Sequence, residues 1–188
     1  MSDSKKIVVR KLEAAQRQLN CAIFLWFHGM DEVSIHTLAA AAYQITHDIK
    51  LHRGIDHDLL YDSHIVKDEY RGLWIRTMKE AQNFFKHADK DPDGAVELPV
   101  FGNLLFMMVA AGGLQLLGVT ASYEVGALLL WLTINEPRLI RPEYLEKFKQ
   151  RAQSIGVEDF EDVRSVGKVQ FFEHYMRTSL ANEAASHR

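Results

Sequence analysis

At 188 residues the chain has the length of one ordinary globular domain and falls short of two. Hydrophobic residues make up 47% and charged residues 25%, the balance of a folded protein, which excludes disordered and collagen-like classes. The net charge of −3 excludes a global basic field of the kind that gathers nucleic acid, and the single cysteine, Cys21, excludes an intramolecular disulfide and a cysteine-based zinc knuckle.

The opening residues MSDSKKIVVR hold a three-residue apolar run before Arg10, too short for a signal-peptide core, so a cytoplasmic protein is expected. Val8, Leu12, Ala15, Leu19, Ala22, Ile23 and Trp26 then recur at steps of three and four and predict an amphipathic helix ending near Gly29. Asp31 offers an N-cap to a second helix, Glu32 to His52, whose apolar face is Ile35, Leu38, Ala39, Ala42, Ile45 and Ile49 and whose stop is Gly54. Ile55 to Lys67 is polar and reads as a loop. Tyr70, Trp74, Met78, Ala81, Phe85 and Ala88 mark a third helix that ends before the turn Asp91-Pro92-Asp93-Gly94.

Residues 98 to 123 carry no charged side chain, yet four glycines, Asn103 and Gln115 dilute the stretch and acids flank it. It therefore predicts a buried helix, not a membrane span. A break near Gly118 to Ser122 and an apolar run from Tyr123 to Asn135 complete a buried helical hairpin. Pro142 suits the first position of another helix, with Tyr144, Leu145, Phe148 and Ala152 as its apolar face. A last helix starts near Glu158, and residues 182 to 188 read as a frayed tail after a single domain spanning 1 to 181. The fold class expected is all-α: one bundle of six or seven helices. Apolar surface on two successive helices further predicts a homodimer through the hairpin.

Histidine is over-represented, and seven of the nine lie between His28 and His87. On the second helix His36, Ala40, Tyr43 and His47 share one stripe at i, i+4, i+7 and i+11. Two imidazoles three turns apart cannot share a metal ion, but they can line a ligand groove; the alternative is a hydrogen-bonded helix contact. On the third helix Arg76, Glu80, Asn83 and His87 repeat the same spacing opposite the aromatic face. Arg76 is a permanent cation suited to phosphate, His87 is of a type that acts as acid or base, Asn83 can orient either, and Lys86 adds a second cation. The alternative is a solvated face with an Arg76–Glu80 ion pair.

Metal chemistry has two candidate places. Asp89, Asp91, Asp93, Gly94, Val96 and Glu97 follow the calcium-loop pattern, but Val100 stands where a bidentate glutamate is required. His52, His57 and His64 with Asp48, Asp56, Asp58 and Asp62 form a loop able in principle to bind a transition metal, or simply to be solvated. Arg138, Arg141, Lys147, Lys149 and Arg151 make a basic patch too small and mixed for a nucleic-acid face. No motif calls for a cofactor.

The segments VSIHTLAAAAYQI and NFFKHADKDPD resemble stretches of a group of uncharacterised bacterial proteins. Over roughly the first hundred residues the helix arrangement is similar to the HEPN superfamily of helical bundles. That resemblance implies a dimer that is either a metal-independent ribonuclease of the toxin or antiphage type or a non-catalytic module with an RNA or protein partner. The family signature is an arginine followed four to six residues later by a histidine. Here ten residues separate Arg76 from His87, so the resemblance carries over His87 alone, as proton handler. Three functions stand as expectations: a non-enzymatic helical binding or regulatory module whose groove is formed by the two stripes, a ribonuclease using His87 with Arg76 or Lys86, and a metal-binding helical protein.

Overall fold

A computed structural model describes residues 6–61, 66–89, 91–137, 145–146, 150, 152–153 and 160–186. Among these the chain is all-α, with seven helices and no strand: α1 (Lys11–Phe27), α2 (Glu32–His52), α3 (Asp68–Phe84), α4 (Val100–Leu116), α5 (Tyr123–Asn135), α6 (Phe160–Ser165) and α7 (Lys168–Ser186). Of the helix expected from Pro142, Leu145, Glu146, Gln150, Ala152 and Gln153 are described and helical, with Ala152 fully buried, while the rest of it and the basic patch of Arg138, Arg141, Lys147, Lys149 and Arg151 lie outside the described residues. No described helix is long and apolar enough to cross a membrane.

The local signals act as their chemistry dictates. Asp31 caps α2 by accepting a 2.7 Å bond from the Ser34 N–H, and that bonding holds its carboxyl below the usual range. Ser122 caps α5 in the same way through the Val125 N–H. At the other ends Gly54 and Gly118 take φ of +63° and +84°, and each is followed by a residue whose N–H reaches back to a carbonyl of the last helical turn, Ile55 to Lys50 and Val119 to Leu114.

Three boundaries differ from the sequence reading. α1 begins at Lys11, which leaves Val8 of the expected apolar face outside the helix and exposed. α3 stops at Phe84, because Phe85 already caps it and the 85–87 turn closes on the Ala81 and Asn83 carbonyls. The last predicted helix is two, α6 and α7, parted at Val166 and Gly167, and α7 runs through Ser186 into the segment read as a tail.

Contacts divide the chain into two compact units, Met1–Ala22 with Asp31–Thr120, and Ile23–Met30 with Ala121–Arg188. In the first, α2 and α4 lie side by side and parallel: His36 meets Asn103, Thr46 meets Gly113, and the Arg53 guanidinium reaches the Leu117 carbonyl. Small residues make the approach close, with Ala39, Ala42 and Ala110 fully buried. A Cβ on Gly113 would lie 2.8 Å from Thr46 Oγ1, so the seam admits only glycine there without movement. α3 returns antiparallel to α2, bringing Phe85 to His36. Tyr61, in the connection before α3, sits against both Tyr43 and His47.

The second unit is held by aromatic side chains. Phe27 stacks on Phe172 with ring centres 4.6 Å apart, Trp131 packs on Phe171, and Lys168 lies 3.5 Å over the Trp26 ring. A Cβ on Gly126 would overlap the Tyr175 hydroxyl, which accounts for a glycine inside α5. Arg164 donates to the Ile134 carbonyl at the end of α5.

Candidate functional site

The two histidine-bearing stripes have opposite surroundings. Along α2, His36 and His47 are buried and Tyr43 is fully so. The Tyr43 hydroxyl accepts the Tyr61 N–H at 2.9 Å, and the Tyr61 hydroxyl in turn lies 3.4 Å from Gln82 Oε1 on α3. Burial, with the Asp48 carboxylate adding to it, pushes the Tyr61 phenol well above its ordinary value. His47 Nδ1 stands 3.5 Å from Asp48 Oδ1.

His36 belongs to a polar chain that crosses from α2 to α4. Asn103, with no exposed surface, donates through Nδ2 to the Glu32 carbonyl at 3.1 Å and to its carboxylate at 2.7 Å. Both partners can only accept, so Asn103 Oδ1 faces His36 and must receive the Nδ1–H, 2.9 Å away. His36 is therefore held as the Nδ1-protonated neutral imidazole, its buried Nε2 lone pair having no donor among the described residues. Burial among Phe85 and Phe106 lowers its pKa, the Asn103 bond opposes that shift, and the Lys86 ammonium adds to it.

The α3 stripe looks the other way. Arg76, Glu80, Asn83 and His87 line a cleft of about 730 Å³ together with Leu73, Phe84, Asp91 and Val96. One wall is α3 with the turn that follows it; the other is the 91–96 segment, opened by the turn in which Gly94 donates to the Asp91 carbonyl. The side chains of Arg76, Asn83 and His87 make no hydrogen bond or ion pair among the described residues, so the expected Arg76–Glu80 ion pair is not formed. His87 lies past the end of α3, yet its N–H still bonds the Asn83 carbonyl at 3.1 Å, which keeps it in line with the stripe. Lys86 is exposed and is not part of the cleft lining.

The groove expected between the stripes is thus not formed. His36, Tyr43 and His47 face the α2–α3–α4 interior, because Ile35, Ala39 and Ala42 on the same helix commit that side to packing, while Arg76, Asn83 and His87 face solvent across α3. Asn103 and Asp91 are the residues the sequence reading did not assign to these places. For Asn103 the available signal was an amide side chain, one of two with Gln115, in an uncharged stretch; for Asp91 it was membership of a turn directly after the stripe.

Among the described residues no three His, Cys, Asp or Glu side chains are placed to hold one metal ion. Asp56, His57 and Asp58 line a second cleft of about 620 Å³ with Lys50, Asp68 and Arg71, but Arg71 is bonded to Asp68 and Lys50 donates to the His57 carbonyl. His64 and Asp62 lie outside the described residues. Comparison with family models, curated proteins and solved structures gives no match to this chain.

Proposed function

We propose that this chain is a non-enzymatic helical binding module whose ligand site is the α3 cleft. The reading is supported by one observation above the others: a guanidinium, an amide and an imidazole line one cavity of ligand size, and among the described residues none of the three has a partner of its own. Leu73, Phe84 and Val96 supply apolar wall, so a bound molecule is both held and oriented. The test is a titration of the full chain with panels of amino acids, mononucleotides and short peptides, followed by backbone NMR. Shifts confined to residues 73 to 98, lost on Arg76→Ala, support the reading; no shift there from any panel removes it.

The same gathering of Arg76, Asn83 and His87 favours a second reading, a metal-independent ribonuclease in which His87 moves the proton and Arg76 steadies the phosphate. Cleavage of RNA in chelator that disappears with His87→Ala supports it, and no cleavage rejects it. A cytoplasmic setting fits the lone exposed thiol of Cys21. A homodimer on the apolar helices has to use Val100 and Phe101, the large hydrophobic side chains exposed on α4, since α5 exposes none. Sedimentation of wild type beside Phe101→Ser decides it.

A further inference from the structure

We infer that the ligand of the α3 cleft is an extended peptide that pairs its backbone with residues 95 to 98; this rests on the cleft being a binding site. Three observations carry it.

The first is an unpaired edge. Among the described residues, the backbone N–H and C=O groups of Ala95, Val96, Glu97 and Leu98 make no hydrogen bond, and the run joins no helix or turn. Exposure alternates along it, with Ala95 and Glu97 exposed and Val96 and Leu98 half-buried, the period of an extended chain. Pro99 closes it in the extended region at φ −68° and ψ 105°. An extended segment with unsatisfied backbone groups beside a cavity is the template on which a second chain adds as a strand.

The second is length. Leu73 to Phe84, both on α3 and both lining the cleft, covers about 16 Å at 1.5 Å per helical residue. An extended chain advances about 3.3 Å per residue, so the cleft takes about five peptide residues.

The third is charge. The lining holds one guanidinium, Arg76, two carboxylates, Glu80 and Asp91, and the apolar Leu73, Phe84 and Val96. A polyanion meets more repulsion than attraction there, whereas a peptide with one acidic side chain for Arg76, one basic side chain for Asp91 or Glu80, and apolar neighbours is matched at every point. Main-chain bonds to the 95–98 run then provide affinity, and the α3 side chains provide selectivity.

The experiment uses the full chain and a positional library of acetylated, amidated hexapeptides that alternate apolar residues with Asp, Lys or Ser. Binding members are expected to shift the amide resonances of residues 95 to 98 and to slow their exchange by about tenfold. Methylating each of two successive central amide nitrogens of the best binder in turn should raise its Kd about tenfold at the one that faces residues 95 to 98, the loss of one main-chain bond. Two variants remove N–H groups in turn, Val96→Pro and Glu97→Pro, and neither breaks an existing bond. Because successive N–H groups of an extended chain point to opposite sides, one variant removes a pairing donor and should weaken binding about tenfold more than the other.

Binding insensitive to N-methylation, or to both proline variants, overturns the inference. Single amino acids and a short RNA are titrated in parallel. Where they perturb Arg76 and His87 and no hexapeptide does, the peptide inference fails and the binding-site reading stands. Where nothing perturbs the cleft, both fail.

Discussion

The stripes on α2 and α3 have the same spacing, each closes on a histidine, and their surroundings are opposite. On α2 the neighbours of His36, Tyr43 and His47 are Ile35, Ala39, Ala42 and Thr46, so two helices close over the stripe and every polar atom must find a partner or remain unsatisfied. On α3 the neighbours of Arg76 and Asn83 are Thr77, Lys79 and Glu80, the stripe stays in water, and its groups remain available. Spacing sets the direction in which side chains point; what lies on either side of the stripe decides whether that direction is interior or cleft.

Substitutions at matched places should separate the two stripes. Tyr43→Ala removes a fully buried ring and the acceptor of the Tyr61 N–H, and should cost about 3–5 kcal/mol in denaturant unfolding. Tyr43→Phe isolates the hydrogen bond and should cost about 1–3 kcal/mol. A loss below the error of the measurement in both variants would mean that α2 is not packed as described.

Asn103→Ala should come next, at about 2 kcal/mol, because it strands both the His36 Nδ1–H and the Glu32 acceptors. Its counterpart in the cleft, Asn83→Ala, should change stability by no more than about 0.5 kcal/mol. Equal effects would erase the contrast between seam and cleft.

His36 adds a pH dependence of fixed sign. Its folded pKa lies below an unfolded value of about 6.5, so the neutral form is the one the fold prefers. The contribution is complete above pH about 6.5 and is lost as pH falls through that value toward the folded pKa. Stability measured from pH 7 to pH 5 should therefore decline more steeply in wild type than in His36→Gln; parallel curves would show that the imidazole is not held neutral.

The smallest effects on stability belong to Arg76→Ala and His87→Ala, each within about 0.5 kcal/mol. Their consequence should appear only in ligand titrations. A large thermal destabilisation by either would assign it to structure.

These contrasts also mark where the sequence was informative. Asp31, Gly54, Gly118 and Ser122 act through bonds within a few residues, so the limits of α2, the end of α4 and the start of α5 could be read directly. The end of α3 could not, because Phe85 and Ala88 continue an apolar rhythm that the chain leaves at Phe85. The composition of each stripe was legible; its facing was not, since that depends on Asn103, 67 residues from His36, and on Tyr61, 18 residues from Tyr43.

Those separations have a kinetic consequence. Because α2 and α4 are parallel, no short hairpin can join them, and the contacts that build their seam close loops of 64 to 71 residues. The chain must give up the freedom of the whole α3 crossover before Thr46 can rest on Gly113, and only then is that loss repaid. For an all-helical protein, this seam should form late and set a slower refolding rate than a string of up-down helices of equal length.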